Sequence, residues 1–115
     1  MSDREWLFYI SDMIKFSHNV LTYSEGLEQK EFENSGLNYD ATIRNLELIG
    51  EAARHVPVEV RDSYDAIPWR QMDATRNQLI HGYLGIDNDI LWNVIQSDIA
   101  ALIPALEKLK TNHQV

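Results

Sequence analysis

Apolar residues recur along this chain at spacings of three and four and nowhere alternate for long with period two, the pattern of helices that bury one face. With five Gly and three Pro in 115 residues, little interrupts that pattern, and the fold class it predicts is all-α with no sheet. A first helix is expected from Asp3 to Thr22, with Trp6, Ile10, Met13, Ser17 and Val20 along one stripe. Residues Tyr23 to Gly36 read as a loop holding a short helical segment. A second long helix, Asn38 to His55, aligns Tyr39, Ile43, Leu46, Gly50 and Ala53 and ends before Pro57. Pro57 suits the first turn of a short helix through Arg61, and Pro68 that of a longer one running to Ile80 or His81, where Gly82 stops it. Asp87 or Asp89 can cap a final helix striped by Leu91, Ile95, Ile99, Leu102, Leu106 and Leu109, with Pro104 as a candidate kink. Four main helices plus short ones make one antiparallel bundle over residues 1–115, and the surplus of apolar faces suits a dimer.

The absence of Cys removes disulfides, thiolate metal sites and a Cys nucleophile, so a reducing compartment, the cytoplasm, is the expectation. The charged start Met-Ser-Asp-Arg-Glu-Trp is unlike a signal peptide, and no stretch reads as the roughly 20 apolar residues of a membrane span. A net charge of −8 opposes nucleic-acid binding at long range. Its distribution softens the objection: residues 44–81 hold 5 basic and 6 acidic side chains, against 3 and 8 before them and 2 and 4 after. All the cations of that nearly neutral middle are arginines (Arg44, Arg54, Arg61, Arg70, Arg76), the side chain that grips phosphate with two parallel hydrogen bonds.

Chemistry concentrates in one segment. At about 100° per helical residue, Arg76 falls in the middle of the stripe made by Trp69, Met72, Leu79, Ile80 and Tyr83, where an unpaired charge would cost several kcal/mol. Two readings follow: an ion pair to Glu47 or Glu51 on the preceding long helix, or a phosphate grip. His81 lies about 140° around the helix from Arg76, so the two converge poorly within one chain and point to a second copy. Asn77, four residues before His81, is placed to fix its imidazole. A fixed cation, an orienting amide, a group titrating near neutrality and a phenol suit metal-free phosphodiester chemistry, in which a ribose 2′-hydroxyl attacks its own phosphate. DNA lacks that nucleophile and is not expected as a substrate. Glu47 and Glu51 are spaced as a carboxylate pair, but Arg44 shares their stripe, so they read as a salt-bridge ladder rather than metal ligands. No metal and no cofactor is expected.

The run Arg76-Asn77-Gln78-Leu79-Ile80-His81-Gly82-Tyr83 resembles the Arg-x4-His-x-Tyr signature of HEPN-domain toxins, in particular the HepT family. The likeness extends through Ile43 to Ala53, Ile67 to Met72, Gly85-Ile86-Asp87 and Leu91-Trp92. It implies a HEPN helical bundle that homodimerises and brings the Arg-His motifs of two protomers into one cleft, as a metal-independent endoribonuclease toxin of a type VII-like toxin–antitoxin system. By the same resemblance the partner is a minimal nucleotidyltransferase antitoxin, MntA-like, which neutralises the toxin by AMPylation of Tyr83. Carried over by position, Arg76 and His81 are the catalytic residues, Asn77 a supporting polar group and Tyr83 the modification site. Arg44 and Glu51 match the family's earlier helix, either lining the cleft or supporting Arg76 by a salt bridge. The alternative is a non-catalytic HEPN helper that binds nucleotide and presents it to the nucleotidyltransferase. A third reading is a structural dimerisation bundle in which Arg76 is merely ion-paired.

Overall fold

The computed structural model describes residues 5–81 and 85–113, and among these the chain is helical with no strand. Six helices follow one another: α1 Trp6–Ser24, α2 Gln29–Glu33, α3 Leu37–Ala53, α4 Val58–Ser63, α5 Trp69–His81 and α6 Asn88–His113. Four are long and two short, the all-α bundle that the periodicity predicts and consistent with the HEPN type that the resemblance implies. The expected start of α1 at Asp3 and the Gly82 stop lie outside the described residues. The stripe of α1 is buried as expected, extended by Ser24, and the hydroxyls of Ser17 and Ser24 donate to the carbonyls of Met13 and Val20, so burial leaves neither without a partner.

α3 differs most from expectation. Tyr39 and Ile43 are only partly buried, whereas Thr42, Asn45, Ile49 and Ala52 are buried together with Leu46, Gly50 and Ala53. The reason is its position: α3 packs between α1 and α5 and must bury two faces, so a single stripe describes it poorly. On the α1 side, Asn19 Nδ2 donates to Asn45 Oδ1 at 3.1 Å.

On the α5 side, Gly50 permits a close approach. A Cβ built there would sit 2.6 Å from the Arg76 Cβ and 3.1 Å from the Met72 carbonyl oxygen. Both atoms are tied to the α5 backbone and cannot swing aside. Gly50→Ala gains about 1 kcal/mol of helix propensity. Forcing the helices apart costs about 1–3 kcal/mol on top of the lost contacts. The expected net result is a lower urea midpoint for Gly50→Ala; an unchanged or higher midpoint would show that the two helices separate freely.

α6 packs along α1, and Gln71 Nε2 on α5 donates to its Asp98 Oδ2 at 2.8 Å. Asp87 caps its start, accepting from the Asp89 and Ile90 amides. The stripe from Leu91 to Leu109 is buried throughout. Its first two steps, Leu91 to Ile95 to Ile99, are each of four residues, which would drift about 80° around an ideal α-helix. A π-helical turn over Val94–Ile99 widens the helix there and keeps the three in line. The helix continues through Pro104 to His113, so its irregularity is this turn rather than a break at the proline.

The expectation that no stretch is apolar enough to cross a membrane needs correcting, because Asn88–His113 qualifies by length and composition. Its apolar stripe from Leu91 to Leu109 is part of the buried core. The short α2 secures the start of α6: Phe32 is buried beside Tyr39 and Trp92, and the Tyr39 hydroxyl donates to Asn88 Oδ1. Burial, then Glu33 and Asp40, raise the Tyr39 pKa and keep that hydroxyl protonated.

Candidate active site

α5 lies on the outside of the bundle, packed mainly against α3, and only Met72 is fully buried on it. The rest of its apolar stripe is half covered. Arg76, at the centre of that stripe, lies with its stem against Gly50, which delivers the guanidinium to the neighbouring residue on α3. Arg76 Nη2 meets Glu51 Oε2 at 2.9 Å, with 19% of the Arg76 side chain exposed and 49% of that of Glu51. Of the two carboxylates predicted as partners, Glu51 takes the role, while Glu47 pairs with Arg44 at 3.2 Å as the ladder reading expects. Arg44 is exposed and bonded along its own helix, so it is not drawn into the group around Arg76.

Glu51 does more than neutralise a charge. Its other oxygen, Oε1, lies 3.7 Å from His55 Nε2, and the His55 ring stacks on Tyr9 of α1 with centroids 4.3 Å apart. The carboxylate thus lies between the guanidinium, which it contacts directly, and the stacked His55 ring. His55 and Tyr9 were not singled out from the sequence. The step of four from Glu51 to His55 was a visible signal, but nothing in the sequence brings α1 beside them.

Asn77 Oδ1 accepts a long, weak hydrogen bond of 3.4 Å from Arg76 Nη1. Its amide nitrogen is not engaged by that contact and stays available to His81, four residues on. His81 ends α5 as an exposed residue. Within the one chain, therefore, Arg76 is fixed against α3 while His81 is exposed at the helix end. Tyr83 lies outside the described residues. Among the described residues the buried Arg76 Nε has no hydrogen-bond partner, besides the donors turned to Glu51 and Asn77. Among the described residues no three His, Asp or Glu side chains gather as metal ligands.

A family profile described as "Ribonuclease HepT-like" matches residues 10–109. The chain belongs to the HepT-like ribonuclease family. "Probable ribonuclease HepT" of Thermococcus cleftensis is 43% identical over 102 residues, covering 89% of this chain and 93% of the relative. "Putative RNase MJ1380" of Methanocaldococcus jannaschii is 33% identical over 107 residues, covering 93% and 98%. No solved structure matches the chain. Membership of the HepT-like family supports a ribonuclease function for this chain, and the Arg76-to-Tyr83 segment falls within the matched residues.

Proposed function

We propose that the chain is a metal-independent endoribonuclease that acts as a homodimer, with Arg76 of one copy and His81 of the other forming each active site. The observation that carries this reading is the fixed guanidinium: Arg76, held by Glu51 at 2.9 Å, is positioned before any substrate arrives. His81, five residues on and about 140° around the helix, cannot readily share a phosphate with it in the same chain. A two-fold pairing of α5 helices meets that need, and the half-covered α5 stripe offers the apolar surface for it.

In the reaction, the 2′-oxygen bonds to the adjacent phosphorus as its proton passes to the His81 imidazole, and the bond from phosphorus to the 5′-oxygen breaks. Imidazolium returns a proton to the departing 5′-oxygen, leaving a 2′,3′-cyclic phosphate and a 5′-hydroxyl. Arg76 stabilises the charge that builds on the non-bridging oxygens, and its rigid anchoring spares the reorganisation that a mobile arginine would need. The regulatory half of the reading follows the family resemblance. A nucleotidyltransferase antitoxin transfers AMP from ATP to the Tyr83 phenol, releasing pyrophosphate, and the added anion fills the phosphate site. Toxin and antitoxin would meet in the cytoplasm.

Mixing the two inactive variants tests the shared site. Arg76→Ala and His81→Ala proteins, unfolded together and refolded, should regain about a quarter of wild-type cleavage, because half of the random dimers carry one intact site of two. No recovery, with mixed dimers demonstrated by native mass spectrometry, would contradict the shared site.

A further inference from the structure

We propose that a second cleft, lined by Arg54, Arg61 and Arg70, binds a backbone phosphate of the RNA on one side of the scissile bond; this rests on the ribonuclease reading above. The cleft lies where the end of α3, the last turn of α4 and the first turn of α5 meet, with a volume of about 210 Å³. Ala53, Trp69 and Asp73 complete its lining. Three guanidiniums thus face one carboxylate in a protein whose net charge is −8.

None of the three arginines has an Asp or Glu oxygen within 4.0 Å among the described residues, unlike Arg44 and Arg76. Arg61 is partly buried, and among the described residues its Nε has no hydrogen-bond partner, so no acceptor of the protein holds that guanidinium through Nε. Arg70 stands in the first turn of α5, the end of a helix where a cation is unfavourable. The arrangement therefore opposes stability in the free protein, and an anion in the cleft would relieve the mutual repulsion. The volume is below that of a typical whole-ligand pocket, about 300–1,000 Å³, which suits one phosphate with part of its sugar better than an entire nucleotide.

Position ties the cleft to the cutting site. Arg70, Asn77 and His81 fall within about 40° of one another around α5, so they form one stripe, with Arg70 roughly 16 Å along the axis from His81. A single strand lying on that stripe would be gripped at the cleft a few nucleotides from the phosphate beside His81. Trp69 is held in the lining by a hydrogen bond from its Nε1 to the Tyr64 carbonyl at 3.1 Å, which fixes one wall of the cleft.

The test is binding of a 2′-O-methyl RNA oligonucleotide, which cannot be cut, by fluorescence anisotropy across a salt series, with wild type, Arg70→Gln, Arg61→Gln and Arg61→Lys. Circular dichroism melts check each fold, and Arg70, being exposed, carries the test should Arg61→Gln unfold. Each Gln variant should bind about tenfold more weakly, with the slope of log K against log salt reduced by about 0.7. Arg61→Lys should keep the slope but lose affinity, since it lacks the planar fork. On cleavable RNA, Arg70→Gln should raise KM and leave kcat unchanged. Wild-type affinity and slope in folded Arg70→Gln would overturn the proposal while leaving the ribonuclease reading intact. Lost ATP binding with RNA binding unaltered would overturn it in favour of a nucleotide site, and failure of wild type to bind RNA at all would overturn both.

Discussion

His81→Ala is expected to lower RNA cleavage by about a hundredfold to ten-thousandfold, the usual contribution of a positioned proton-transfer group. The fold should survive. His81 is exposed at the end of α5, and what its removal takes away is at most a favourable charge at a helix C-terminus, about 0.3–1 kcal/mol when protonated. Cleavage rates alongside thermal melts separate the two effects. A His81→Ala protein that cuts as fast as wild type, after contaminating nucleases are excluded, would remove His81 from the chemistry.

Arg76→Ala should lower cleavage by about a hundredfold to a thousandfold, the cost of losing a preorganised donor to a developing oxyanion. Its effect on stability should be smaller than its burial suggests. Glu51, the partner left behind, is half exposed and can be solvated, so the lost ion pair is worth no more than about 1 kcal/mol. Glu51→Ala distinguishes this account from a purely structural ion pair. If Arg76 served only the fold, both substitutions would cost similar stability and neither would change kcat. Here Arg76→Ala removes the oxyanion contact outright, whereas Glu51→Ala leaves the guanidinium present but loosely held and should cost about tenfold in kcat.

The fold was legible where one residue's neighbours lie on its own helix. The α1 stripe, the α6 stripe from Ile99 to Leu109 and the place of Arg76 amid apolar residues could be read by counting, because a 100° step fixes which side chains share a face, whereas Leu91, Ile95 and Ile99 stay in line only through the π-helical turn. What could not be read depends on contacts between elements. The two buried faces of α3 follow from its position between α1 and α5, and the His55 ring meets Tyr9 only because those helices are neighbours. Likewise the three arginines of the second cleft come from three successive helices whose turns must first fold back on each other. Gly50 shows both sides of this. Its place on the packed face of α3 could be read from periodicity, whereas its function as the seat for the Arg76 stem needed the distance between two backbones. Helical spacing placed Asn77 within reach of His81, whereas its contact with the adjacent Arg76 came into view only with the side chains in place.

The central claim is strand cleavage by the RNA's own 2′-hydroxyl, driven by Arg76 and His81 without a metal. Its most direct test is digestion of RNA in EDTA by protein whose intact mass excludes an AMP adduct on Tyr83, with the fragment ends read by mass spectrometry. Fragments ending in 2′,3′-cyclic phosphate, made by wild type and not by His81→Ala, are the predicted result. AMP-free wild type that leaves RNA uncut, or that yields 3′-hydroxyl ends independently of His81, would contradict the account; an uncut result would favour the nucleotide-presenting helper.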